Sequence, residues 1–193
     1  MNALIRGRLA LALLLLVGPA ALGQEMPVPA DLQAGLLLKL LPFDRALKER
    51  AGSEIVVVVV YQPRFRLSSD AKSVFIRTLE NDAAGHVGDL PLRLVELPLD
   101  ESTDFAAALQ RAAADVVYLA PLRAVDITAL ARAAREARVL SFTGVPEYVP
   151  LGAMVGIAER RNRPSLVINL GAARAAGIDL RSELLNISQI VGN

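Results

Sequence analysis

The apolar positions of this chain change period from block to block, and the period separates strands from helices. Residues 55 to 61, IVVVVVY, are an unbroken run of mostly β-branched residues, the pattern of a central strand buried on both faces. Residues 92 to 97, 116 to 120 (VVYLA) and 139 to 143 (VLSFT) repeat that signal downstream. Helical faces lie between them: Ala71, Val74, Phe75 and Leu79 after the polar loop QPRFRLSSD; Phe105, Ala108, Leu109 and Ala112; Ile127, Leu130, Ala131 and Ala134. Upstream, Asp31 is placed to cap a helix with Leu32, Leu36 and Leu40 on one stripe, widened by Leu37, Leu38 and Leu41 and ending before Pro42. A charged helical stretch follows from Asp44 to Arg50.

Strands alternating with helices over short links require crossover connections, so the pattern predicts a three-layer, doubly wound, Rossmann-like α/β domain with a mostly parallel sheet. The last third departs from that rhythm. Residues 153 to 158 and 165 to 169 are joined by the six-residue link ERRNRP, too short for a crossover helix, and predict an antiparallel hairpin at one edge. Asn169 then opens a short alanine-rich helix stopped by Gly177, and Ser182 is placed to cap a final helix carrying Leu184, Leu185 and Ile187.

Composition narrows the classes. The chain has 193 residues, 53% of them hydrophobic, a formal charge of +1, no cysteine and one histidine. One domain of ordinary size accounts for that length, and the charge balance offers no basic field for nucleic acid. The absence of cysteine excludes disulfides and thiol chemistry, and a lone His86 excludes multi-histidine metal sites. Residues 1–23 read as a secretory signal peptide: Arg6 and Arg8, the apolar run Leu9 to Val17, Gly18-Pro19, then small residues at Ala21-Leu22-Gly23. Cleavage there leaves Gln24 first, residues 24–30 as an extended lead-in, and residues 31–193 as a single exported domain, placing the protein in the periplasm. Without Arg6 and Arg8 the formal charge moves from +1 to −1.

No phosphate loop, nucleophile elbow, zinc-protease motif or glycine-rich dinucleotide motif is present, so no enzymatic activity, cofactor or metal is expected. His86 with Asp89 is the one general-base candidate, against the simpler reading of a solvated loop histidine. The sequon Asn186-Ile187-Ser188 falls inside the final predicted helix. Arg160, Arg161 and Arg163 in ERRNRP have two readings: a dock for an acidic partner or lipid headgroups, or a soluble turn whose charges guard a sheet edge. Doubly wound sheets bind ligands at the carboxyl ends of their strands. The candidate ligand or partner residues are therefore Gln62, Arg123, and Thr143, Gly144, Glu147 and Tyr148, the last read as an exposed tyrosine on a flexible loop. On that reading, Tyr148→Ala weakens partner binding and leaves folding intact; on the other, the loop only turns the chain.

Residues 139 to 191 resemble the C-terminal pattern of the YfiR/HmsC-like family: Gly152 with Met154, then Ile168-Asn169, Ala173-Arg174, Ala176-Gly177, and Ser182 with Leu184-Leu185. The segments QAGLLLKLLPFDRAL and IVVVVVYQP are similar to the opening helix and strand of that family, with leucines at 36 to 38 where aromatic residues are usual. Asn169, Arg174, Gly177 and Ser182 thus form a structural signature. The resemblance implies a periplasmic regulator that restrains an inner-membrane signalling protein of the diguanylate cyclase type through its periplasmic part, with output in cyclic-di-GMP and biofilm formation. Family members with redox-responsive cysteines differ from this chain, which has none. A second reading is a small periplasmic solute-binding protein serving a transporter, with a small-molecule ligand. The leucine-rich first helix offers a face for a homodimer.

Overall fold

The computed structural model describes residues 26–82 and 86–192; the expected signal peptide and the first residues of the expected lead-in lie outside them. Eight strands form one sheet in the order β2-β3-β1-β4-β5-β6-β7-β8. They are β1 (Ile55–Tyr61), β2 (His86–Val87), β3 (Leu90–Pro98), β4 (Val116–Leu119), β5 (Leu140–Thr143), β6 (Val155–Arg160), β7 (Arg163–Asn169) and β8 (Gln189–Val191). The α-helices among the described residues are α1 (Ala30–Leu40), α2 (Leu47–Ala51), α3 (Arg66–Asp82), α4 (Phe105–Ala112), α5 (Ile127–Glu136), α6 (Leu170–Ala175) and α7 (Ser182–Asn186). All strand pairs are parallel except β2 with β3 and β6 with β7.

The valine run behaves as its composition demands. Residues 55–60 of β1 are all buried because β1 is central and both its faces are covered. Its odd positions, Ile55, Val57 and Val59, join α1, α3 and the C-terminal helices in one core. Its even positions, Val56, Val58 and Val60, join α4, α5 and Tyr148 in a second. These two cores are the outer seams of the predicted three layers.

Several local expectations are corrected. The buried stripe of α1 is Ala30, Gln33, Ala34, Leu37 and Leu40, while Leu32 is half exposed. The short alanines, not the outer leucines, let the helix approach the sheet closely, and Asp31 is not its cap, because Pro29 occupies that position. Half of the polar loop after β1 is already helix, since α3 starts at Arg66. The hairpin turn is tighter than ERRNRP suggested: Arg160 pairs with Arg163, leaving Arg161-Asn162 as a two-residue turn. The hairpin is not the edge either, because β8 adds in parallel outside β7. Ser182 is the first residue of α7 and makes no capping bond; Arg181 precedes it in extended conformation. That helix ends at Asn186, so the sequon lies at its exit and Ile187 is exposed.

Two buried acids tie the layers at the amino ends of the strands. Asp44 accepts from the backbone N–H groups of Ala46 and Asp179, joining the segment before α2 to the one before α7. Arg50 Nη2 stands 2.9 Å from Asp44 Oδ2 but off a hydrogen-bond axis, so this contact is ionic rather than a directed bond. Asp115 accepts from Val56 N–H, and desolvation holds its carboxyl above the ordinary range despite that bond and the pull of Arg50 and Arg93. A carboxyl that keeps its proton to higher pH in the folded state favours folding below 3.8 and loses that contribution as pH rises to the folded value. Asp115→Asn, which cannot ionise, is therefore expected to gain stability relative to the parent across that acidic window and hold a constant advantage above it. Urea titrations at stepped pH measure this; an advantage that shrinks with rising pH contradicts it.

Candidate functional site

The chain leaves β1 toward β3 on one side, while β4 lies on the other side of β1, so the connections diverge at the carboxyl ends of β1 and β4. A topological switch point of this kind normally leaves a crevice for ligand. Here it is closed by side chains. Gln62 Oε1 accepts from Arg123 N–H at 2.7 Å, and Gln62 Nε2 donates to Arg123 C=O at 3.0 Å. The amide thus pairs with the backbone of Arg123 as a neighbouring strand would. Gln62 is fixed in turn: its N–H donates to the buried Ser68 hydroxyl, and its C=O accepts from Ser69. The Arg123 guanidinium lies over the Phe65 ring at 4.1 Å, which covers the clasp from outside.

The third strand end is architecture. Thr143 is buried; its hydroxyl donates to Leu119 C=O and accepts from Val145 N–H. Tyr148 is 1% exposed rather than exposed, because the turn Pro146–Tyr148 folds its ring into the α4/α5 core. Its hydroxyl accepts from Leu122 N–H at 2.8 Å and donates to Leu122 C=O at 3.2 Å, and burial pushes its pKa up to about 12. Gly144 is buried against the Gln33 amide, where an added methyl would overlap that side chain. Gln33 donates to Val28 C=O at 2.6 Å and accepts from the Tyr118 hydroxyl at 2.8 Å. Tyr118 stacks on Phe75 with ring centroids 3.8 Å apart.

Of the sequence candidates, then, Gln62 and Arg123 come together, Glu147 is exposed nearby on the turn, and Thr143, Gly144 and Tyr148 lie beneath the surface. Gln33, Phe65, Tyr118 and Leu122 complete the arrangement and were not singled out from sequence. A signal existed for Gln33: Ala30, Ala34, Leu37 and Leu41 have helical spacing as regular as the chosen leucines, and they place Gln33 on the inner face. His86 and Asp89 are exposed at the amino end of β3, at the opposite end of the sheet. Among the described residues no cluster of three or more His, Cys, Asp or Glu could hold a metal. Two open clefts lie away from the switch point, one beside Arg160, Arg161 and Arg163, the other between α3 and β3 near Glu54, Leu79 and Arg93.

Two of the four signature residues, Asn169 and Gly177, set the ends of α6. Asn169 caps α6 by accepting from Ala172 N–H at 2.9 Å. Gly177, at φ +75°, ends it: Gly177 N–H donates to Arg174 C=O and Ile178 N–H to Ala173 C=O, with Ile178 buried beside them. Arg174 points from the exposed face of α6.

A family model described as YfiR/HmsC-like matches residues 30–189. No curated protein matches the chain. Among solved structures, a conserved domain protein from Vibrio cholerae O1 biovar eltor is 21% identical, covering 84% of this chain and 60% of its own length, with a TM-score of 0.55. The ABC domain in complex with L-Trp from Streptococcus pneumoniae is 12% identical over 84% of this chain and 62% of its own, with a TM-score of 0.59. A ligand-free, open substrate-binding protein with adhesive properties from Clostridium difficile is 16% identical over 76% and 57%, with a TM-score of 0.52. At these identities the likeness is one of fold, and the chain spans about 60% of the first of these structures.

Proposed function

The chain belongs to the YfiR/HmsC-like family, and from that premise we propose that it is a periplasmic regulator restraining an inner-membrane diguanylate cyclase by contact with the cyclase's periplasmic part. Family membership supports a periplasmic regulatory role in general, and family members are regulators rather than enzymes. No helix among the described residues is long and apolar enough to cross a membrane. The observation that favours surface contact over ligand capture is the clasp: the switch point is shut by the Gln62 amide on the Arg123 backbone and capped by Phe65. Solute capture by a transporter-linked receptor needs an open cleft, normally between two lobes, and the described residues form a single sheet with its covering helices.

On this reading the contact surface is the rim of the closed switch point: Gln62, Phe65, Arg123 and Glu147. Thr143, Gly144 and Tyr148 support it from beneath. A second copy would meet the outer side of α1, where Leu32 is half exposed and Leu36 and Leu38 are partly buried, Leu37 and Leu40 being turned into the core.

Intracellular cyclic-di-GMP is the decisive measurement. Deleting the gene is expected to raise it, and the exported form alone is expected to restore it. Arg123→Ala removes the guanidinium over Phe65 and leaves the two backbone groups that Gln62 holds, so its fold should be kept. That variant is expected to restore restraint roughly 10-fold less effectively, the weight of one well-placed contact of about 1.4 kcal/mol. Unchanged cyclic-di-GMP on deletion in expressing cells sinks the regulatory reading and directs attention to a solute.

A further inference from the structure

Beyond the regulatory reading, and independent of it, we propose that the β6–β7 hairpin is an arm that docks on an anionic phospholipid surface through Arg160, Arg161 and Arg163. β5 holds β6 only at Val155 and Gly156, and β8 holds β7 only at Val167 to Asn169. From Ile157 to Leu166 the two strands pair only with each other, and the ribbon passes from buried Ile157 to full exposure at Glu159 through Pro164.

The tip is built at a cost that a solubilising turn would not carry. Its two-residue turn has Arg161 at φ +52° and Asn162 at φ +59°, a mirror-image turn for which Asn-Gly is the preferred sequence. Arginine at the first position accepts left-handed strain, and the next residue is not glycine. Arg160 and Arg163 stand directly opposite in the ladder, where like charges repel. None of the three arginines is in an ion pair among the described residues, and Glu159 is the one carboxylate on the exposed ribbon, so the tip keeps a net positive charge. They line a shallow open cleft of about 620 Å³ together with Pro164 and Ser165.

Three arginines around one open cleft suit phosphate oxygens, which guanidinium groups bind in bidentate fashion. The tip has no aromatic or large aliphatic side chain, and a protein interface resting on arginines alone depends on complementary pockets that desolvate them. A membrane surface does not, because it attracts each cation through its potential without requiring a complementary shape. That difference favours lipid headgroups over an acidic protein.

The test uses residues 24–193, which include every described residue, co-sedimented with phosphatidylcholine vesicles with and without phosphatidylglycerol. Each cation near an anionic surface contributes roughly five-fold, so the combined variant Arg160→Gln, Arg161→Gln, Arg163→Gln is expected to lose about 100-fold of its partition onto the anionic vesicles. The parent's partition is expected to fall with added salt and to vanish without phosphatidylglycerol. Arg161→Asn should bind roughly five-fold more weakly while melting at a higher temperature, since asparagine tolerates the left-handed position. Equal partition of parent and triple variant overturns the proposal, as does binding to neither vesicle. Loss of cyclase restraint in the triple variant without any vesicle binding would also overturn it, assigning the tip to an acidic protein instead.

Discussion

Tyr148→Ala is expected to remove about 3–5 kcal/mol of folding stability, a large part of the total for a domain of this size. The ring is 1% exposed and packs with Leu119, Leu122 and the α4/α5 residues of the second core, so truncation leaves a cavity that the sheet and two helices cannot close. The hydroxyl adds a second effect. It is the partner of both backbone groups of Leu122, and its loss strands a buried N–H and C=O at the end of β4. Tyr148→Phe separates the two: it keeps the ring and is expected to cost about 1–3 kcal/mol. Urea denaturation of the three proteins measures both contributions. A stable alanine variant with weakened partner binding would restore the exposed-loop reading that the structure overturns.

Gly144→Ala is expected to cost about 3 kcal/mol, although a single methyl is added. The new Cβ would overlap the Gln33 amide, which is wholly buried and cannot swing to solvent. Moving that amide breaks its bonds to Tyr118 and to Val28 C=O, and the Tyr118 hydroxyl is then left with only the weak Met26 thioether acceptor beneath its stack on Phe75. The mechanism makes a second prediction, about coupling. In a Gln33→Ala background the space is already empty, so Gly144→Ala should cost clearly less there than in the parent, giving a coupling of about 1–2 kcal/mol in the double-mutant cycle. Additive losses would show that the glycine serves some other purpose.

Much of the fold was legible in the residues. β1 and β4 are marked by β-branched runs, β5 by the short, mostly apolar run VLSFT, and α4 and α5 by helical spacing, because for these elements the local pattern and the buried face coincide. Asn169 and Gly177 could be placed because capping and left-handed termination are local chemistry. The errors share a cause. For α1 two stripes were equally regular, and which one faces inward depends on the sheet it meets. β2 and β8 have two and three residues, too short to carry a period, and are strands only because β3 and β7 offer unpaired edges. Ser182 has the composition of a cap, but the chain enters α7 one residue earlier, where Arg181 N–H donates to Phe43 C=O.

The candidate site divides in the same way. The expectation that ligands or partners meet this protein at the carboxyl ends of parallel strands follows from the order of elements, and it points to Gln62 and Arg123. Their meeting across 61 positions of sequence, with the amide replacing the crevice by a clasp, is a tertiary event. Residue identity and local periodicity suffice for the α/β class, the central strand, the family and the lack of cysteine. That Tyr148 is a buried strut, that Gln33 belongs to the core and that the arginine turn projects past its neighbouring strands emerges from the packed chain alone. Burial and pairing are properties of what the rest of the chain brings alongside, and no local period encodes them.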